Sequence, residues 1–149
     1  MQNAGLIGLA AFMALAAVGS GIGVGVAGSS AIGAWKKCYI QNRPAPFLLF
    51  AFVGAPMTQT IYGLILMNQF SAAVGSLDSA VILGAGIFGG FAMGISAWFQ
   101  GVAGAAASDA FAETGKGFAN YILVVGLVET VALFVMVFLM LLLNNMTGA

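Results

Sequence analysis

The stretch GLVETVALFVMVFLMLLL, residues 126–143, decides the fold. It is built from Leu, Val, Phe and Met, and it holds one charge, Glu129. Glu129 is the only charge after Lys116. A spanning helix needs about 20 apolar residues, and this stretch lies inside such a run, Gly117 to Leu143. Three more runs qualify: Ala4 to Trp35, Pro46 to Met67 and Ser79 to Ala107. The first and third are long for one crossing and are expected to tilt or to project beyond the lipid.

Composition agrees with four spans. Of 149 residues, 62% are hydrophobic and 5% charged, against about 25% charged in soluble domains. Mean hydropathy is +1.09. The chain reads as one integral membrane domain over residues 1–149. Net charge is zero, which argues against a nucleic-acid partner. There is no His and one Cys, which excludes a His-based metal site and a disulfide within one chain. Cys38 is expected as a free loop thiol. The opening MQNAGLIG has no basic residue, so no cleaved signal peptide is expected.

Basic residues set the orientation. Lys36, Lys37 and Arg43 fall in the first loop, and Lys116 falls in the third. Loops 36–45 and 108–117 are therefore expected to be cytoplasmic, with both termini outside. Pro44 and Pro46 suit an extended entry into the second helix, with Pro46 able to sit in its first turn.

The two halves resemble each other. GIGVGVAGSSAIGA (21–34) aligns with GISAWFQGVAGAAA (94–107), and GAPMTQTIYG (54–63) aligns with GLVETVALFV (126–135). The offset is 73 residues in the first pair and 72 in the second. This is the pattern of a duplicated hairpin, about 4–69 and about 79–143. Chance similarity between Gly/Ala-rich helices is the plain alternative. Under duplication Met57 occupies the position of Glu129, and Tyr62 falls opposite Phe134.

Small residues recur every four positions in helix one, at Gly21, Gly25, Ser29 and Gly33 and again at Gly19, Gly23 and Ala27. Helix three has Gly86, Gly90, Gly94, Gly101 and Ala105. Such faces let backbones approach closely in lipid. They fit either one four-helix bundle or a closed ring with helices one and three on its inner side.

Intramembrane polar side chains are few. Thr58, Gln59 and Tyr62 share a face of helix two; Gln100 lies on helix three; Glu129 and Thr130 lie on helix four. Thr58 and Glu129 are each twelve residues from the cytoplasmic end of their run, about 18 Å deep. Gln100 is eight residues from Ser108, about 12 Å. All are expected to meet near mid-membrane. Pro56 frees the carbonyl of Phe52 from its helical partner and predicts a kink beside Thr58 and Gln59.

An ionised carboxylate there costs about 2.5–3.5 kcal/mol or more. Protonation or a bound cation removes that cost. The Glu129 carboxylate, Thr58 hydroxyl, Gln59 and Gln100 amide oxygens and a backbone carbonyl give a hard, oxygen-only set without a Lys or Arg counter-ion. One carboxylate suits Na⁺ better than Ca²⁺. The plain alternative is a protonated Glu129 that only ties helices together.

On these residues the chain resembles a known family. GAPMTQTIYG, WFQG, GLVETVALF and the glycine-rich GSGIGVGVAG together resemble the membrane-rotor proteolipid, the K or c polypeptide, of prokaryotic V-type ATPases, in its sodium-translocating form. The resemblance implies an all-α membrane protein, four transmembrane helices as two duplicated hairpins, assembling into a homo-oligomeric rotor ring in the cell membrane. It implies that Glu129 binds the transported Na⁺ with Thr58, Gln59, Gln100 and the Ala55 carbonyl, while Tyr62 hydrogen-bonds the glutamate and holds the site shut. It implies as partners identical subunits, a static membrane subunit with an arginine, a central stalk at the cytoplasmic loops, and lipid. Met57 departs from the small glycine that sodium-type relatives can carry there, which puts the site's geometry in question. No phosphate-binding GxxxxGK[ST] occurs, so no catalytic chemistry is expected in this chain. Three other readings remain beside it: proton transport by the same kind of rotor subunit, a small four-helix multidrug transporter working as a dimer, and a purely structural channel-forming protein.

Overall fold

The computed structural model describes residues 2–148. Among them regular structure is helical, apart from an isolated bridge between Val74 and Leu77. The helices are α1 (Gln2–Ile40), α2 (Leu49–Gly54), α3 (Thr58–Ser71), α4 (Ser79–Thr114) and α5 (Phe118–Thr147). A 3₁₀ turn, Ala55–Met57, joins α2 to α3. Four helical segments are long and apolar enough to cross a membrane: Asn3–Ile40, Leu49–Ser71, Ser79–Thr114 and Phe118–Thr147. This is the expected fold class. The helices arise from the Leu, Val, Ala and Phe runs, because in lipid every backbone group must find its partner within the chain.

α1 and α4 form the closest pair. Their backbones touch where both carry glycine. A Cβ on Gly19 would collide with the backbone of Gly94, one on Gly86 with that of Gly8, and one on Gly101 with that of Gly23. Of the two small-residue stripes on α1, only Gly19–Gly23–Ala27 packs against α4. Gly21, Gly25 and Gly33 have open space over them. Two apolar clusters flank this seam. One centres on Phe12, Leu66, Phe70 and Met93, and the other on Leu49, Phe52, Phe111 and Val125.

The loops are shorter than the sequence implied. α1 continues to Ile40 and α4 to Thr114, so half of 36–45 and most of 108–117 is helical. At about 1.5 Å per residue both helices outrun a hydrocarbon layer of about 30 Å. Their polar last turns therefore continue the same hydrogen-bond ladder beyond it. There Lys37 Nζ meets Glu113 Oε1 at 2.7 Å and Asp109 Oδ1 at 3.7 Å, joining α1 to α4. Cys38 is free, but it is not a loop thiol. It lies in the last turn of α1 and is buried in the second cluster. Pro46 does not enter the helix: α2 begins at Leu49, and the Pro46 carbonyl accepts the Trp35 indole N–H at 2.8 Å.

At Pro56 the α-helix is interrupted by the 3₁₀ turn. Pro56 itself is buried and packs against Gly23, where a Cβ would lie 2.8 Å from its ring. The Phe52 carbonyl, which the proline leaves without its usual donor, lies against Gly104. At the other end of the bundle Asp78 caps α4 by accepting the Ala80 N–H at 2.8 Å, which satisfies one orphan donor of the first turn.

Candidate functional site: a mid-membrane carboxylate network

The break at Pro56 sets the register of α3 so that Thr58, Gln59 and Tyr62 face α4 and α5. Side chains that lie 29 to 71 residues before Glu129 in sequence then join it in one network. Tyr62 donates its hydroxyl to Glu129 Oε1 at 2.6 Å. Gln100 Nε2 donates to Glu129 Oε2 at 3.1 Å and to the Val125 carbonyl at 3.2 Å. Gln59 Nε2 donates to Gln100 Oε1 at 2.8 Å. The Thr58 hydroxyl lies 3.1 Å from the Ala55 carbonyl and 3.2 Å from Gln59 Oε1. One hydroxyl hydrogen serves those two acceptors by turns.

Both glutamines are fully buried, and Glu129 is partly buried. Burial strengthens the network's bonds and raises the cost of leaving any member unpaired. Each carboxylate oxygen of Glu129 accepts from a neutral donor, and no Lys or Arg belongs to the network. Among the described residues no group of three His, Cys, Asp or Glu is placed to hold a metal. Any cation here would be met by one carboxylate and by neutral oxygens, the set a hard ion accepts. The amides suit two tasks. Turned by half a rotation, each exchanges N–H donors for an oxygen without changing shape.

All the expected side chains, Glu129, Thr58, Gln59, Gln100 and Tyr62, come together, with the Ala55 carbonyl at the edge. Thr130 does not join them. Its hydroxyl turns back to the Leu127 carbonyl at 2.7 Å, on the far side of α5. Met57 is 59% exposed and points to the outer flank of the molecule, away from the network. Sequence reasoning missed Ser96, whose hydroxyl donates to the Val128 carbonyl at 2.8 Å and ties α4 to α5 beside Glu129. Its spacing of four residues before Gln100, on the same face, was the available signal.

Residues 83–142, which run through α4 and α5 and include Gln100 and Glu129, match the family model for the C subunit of ATP synthase. The chain is also similar to the A-type ATP synthase subunit K of Methanocaldococcus jannaschii, with 30% identity over 131 residues. That alignment takes in 87% of this chain and 57% of the relative, so the chain spans a little over half of that protein's length.

Proposed function

We propose, from the match of residues 83–142 to the ATP synthase C family and the likeness to a subunit K, that the chain is a rotor proteolipid, an ion-carrying rotor subunit of an A/V-type ATPase. Several copies form a ring in the cell membrane, with the loops at the basic end cytoplasmic and both termini outside. The cargo is Na⁺, held by Glu129 with oxygens from Thr58, Gln59, Gln100 and the Ala55 carbonyl. The chain has no catalytic chemistry of its own.

The observation that carries this reading is the joining of Glu129 to Tyr62 and Gln100, at 2.6 and 3.1 Å, in a network of neutral oxygens without a basic side chain. With a monovalent cation bound, the site is neutral and can face lipid. Without it, Glu129 is an anion in hydrocarbon, which costs several kcal/mol. An emptied site therefore needs water or a cationic group, such as an arginine on a static membrane subunit. Loading and unloading are confined to that place, and rotation is coupled to ion movement. Tyr62 anchors the carboxylate between exchanges. The basic end, with Lys36, Lys37 and Arg43, faces a central stalk.

Proton carriage is the second reading within the same ring. It too is served by a single carboxylate. The two are separated by carbodiimide labelling of Glu129, which requires the protonated acid. Na⁺ added at constant neutral pH is expected to slow the labelling, and K⁺ to leave it unchanged. Labelling that follows pH alone would assign the cargo as a proton.

A further inference from the structure

A serine inside a helix commonly returns its hydroxyl to the carbonyl four residues earlier. Ser29 and Ser108 do so, onto the Gly25 and Gly104 carbonyls at 2.8 Å each. Ser96 does not. It is 5% exposed, and its hydroxyl crosses to α5, where it donates to the Val128 carbonyl at 2.8 Å. That carbonyl belongs to the peptide bond that leads into Glu129.

A second tie joins the same two helices one turn away. Gln100 Nε2 donates to the Val125 carbonyl at 3.2 Å. Ser96 and Gln100 are four residues apart on α4, and Val125 and Val128 are three apart on α5, so each pair shares a helix face. Two such rungs at different heights fix the rotation of α5 about its own axis as well as its distance from α4. Rotation aims the carboxylate, because one residue turns a helix by about 100°. A turn of α5 would take Glu129 out of reach of the Tyr62 hydroxyl, now at 2.6 Å, and of Gln100 Nε2, now at 3.1 Å.

The two rungs differ in what an arriving cation does to them. In the structure Gln59 Nε2 donates to Gln100 Oε1 at 2.8 Å. A cation that takes an oxygen from each amide breaks that bond, and the amides must rearrange around it. Gln100 belongs to this rearrangement. The Ser96 rung uses no group that the cation needs. We propose that Ser96 is a positioning residue for the carboxylate: its bond to the Val128 carbonyl fixes the rotation of α5 and keeps Glu129 aimed at Tyr62 and Gln100 while the amides rearrange to admit the ion. It supplies no ligand and acts through the backbone of α5. This rests on the sodium reading above and adds to it a residue outside the ligand set.

The test compares purified wild type, Ser96→Ala and Ser108→Ala. Two quantities are measured: the Na⁺ concentration that half-protects Glu129 from carbodiimide at neutral pH, and the thermal midpoint with and without a fixed concentration of Na⁺. Ser96→Ala is expected to raise the half-protecting concentration by about three- to tenfold, the range that one interhelical hydrogen bond in a membrane supports. It is also expected to shrink the rise in thermal midpoint that Na⁺ produces, because stabilisation by a ligand falls with its affinity. Ser108→Ala loses a bond within α4 alone and is expected to match wild type in both Na⁺ responses. Ser96→Cys, near in size and a weaker donor, is expected to fall between wild type and Ser96→Ala, and it decides by the same midpoint where Ser96→Ala does not fold. An unchanged half-protecting concentration, with any loss of thermal midpoint equal in the presence and absence of Na⁺, assigns Ser96 to helix packing alone; it overturns the proposal and leaves the sodium reading standing. A wild-type protein without Na⁺ protection overturns both.

Discussion

The Tyr62 hydroxyl, on α3, donates to the Glu129 carboxylate, on α5, across 2.6 Å. This bond joins the first hairpin to the second at the one acidic side chain of the fourth span. A hydrogen bond to a charged group contributes about 1.5–3 kcal/mol. Tyr62→Phe keeps the ring and removes the bond. It is expected to weaken Na⁺ protection of Glu129 against carbodiimide by about 10- to 100-fold, at 1.4 kcal/mol per factor of ten. An unchanged protection midpoint would show that Tyr62 plays no part in holding the carboxylate.

Gln100 is the hub of the network. Gln100→Leu removes the partner of Gln59 Nε2, of Glu129 Oε2 and of the Val125 carbonyl at once. Each buried group left unpaired costs about 1–3 kcal/mol. The variant is expected to lose Na⁺ protection and to lower the thermal midpoint of the folded protein. Gln100→Glu, with similar shape and a second carboxyl group, is expected to restore part of the stability without the wild-type Na⁺ response.

Pro56 shapes the site through the backbone. Pro56→Ala restores an N–H that can bond the Phe52 carbonyl and favours a continuous α2–α3 helix. The register of Thr58 and Gln59 then changes. The expected outcome is a folded protein of wild-type helix content by circular dichroism, with cation protection of Glu129 reduced at least tenfold. Retained protection would mean that the 3₁₀ turn does not position the ligands.

The glycine seam gives a prediction about stability alone. Gly19→Ala puts a Cβ into the backbone of Gly94, whereas Gly33→Ala meets nothing. Overpacking costs about 1–3 kcal/mol, while replacing a mid-helix glycine by alanine gains up to about 1 kcal/mol. The thermal midpoint is expected to fall for Gly19→Ala and to hold or rise for Gly33→Ala.

Much of the site is legible in the sequence because polar side chains are rare in this chain. Glu129, Gln100, Gln59, Thr58 and Tyr62 stand out against Leu and Val, and counting residues from the loop ends sets them at similar depth. Depth is not direction, however. Thr130 sits beside Glu129 in sequence, but one residue turns a helix by about 100°, so its hydroxyl faces away. Ser96 escapes notice because a serine in a helix commonly bonds its own preceding turn. Its actual acceptor, the Val128 carbonyl, belongs to another helix. The same limit applies to the glycines. Two stripes on α1 have equal spacing, and only the partner α4 distinguishes Gly19 and Gly23 from Gly21 and Gly25. Helix ends read from charge alone fall too early, because a charged residue need not begin a loop. In this chain Lys37 and Glu113 pair on helical turns that run past the apolar stretch.

The central claim is that Glu129 anchors one Na⁺ per chain. Equilibrium binding of radioactive sodium to the purified protein at neutral pH tests it most directly. Saturable binding is expected at one ion per chain, displaced by acid and abolished in Glu129→Gln. Absence of saturable sodium binding by a folded wild-type protein, or binding that survives Glu129→Gln, would contradict it.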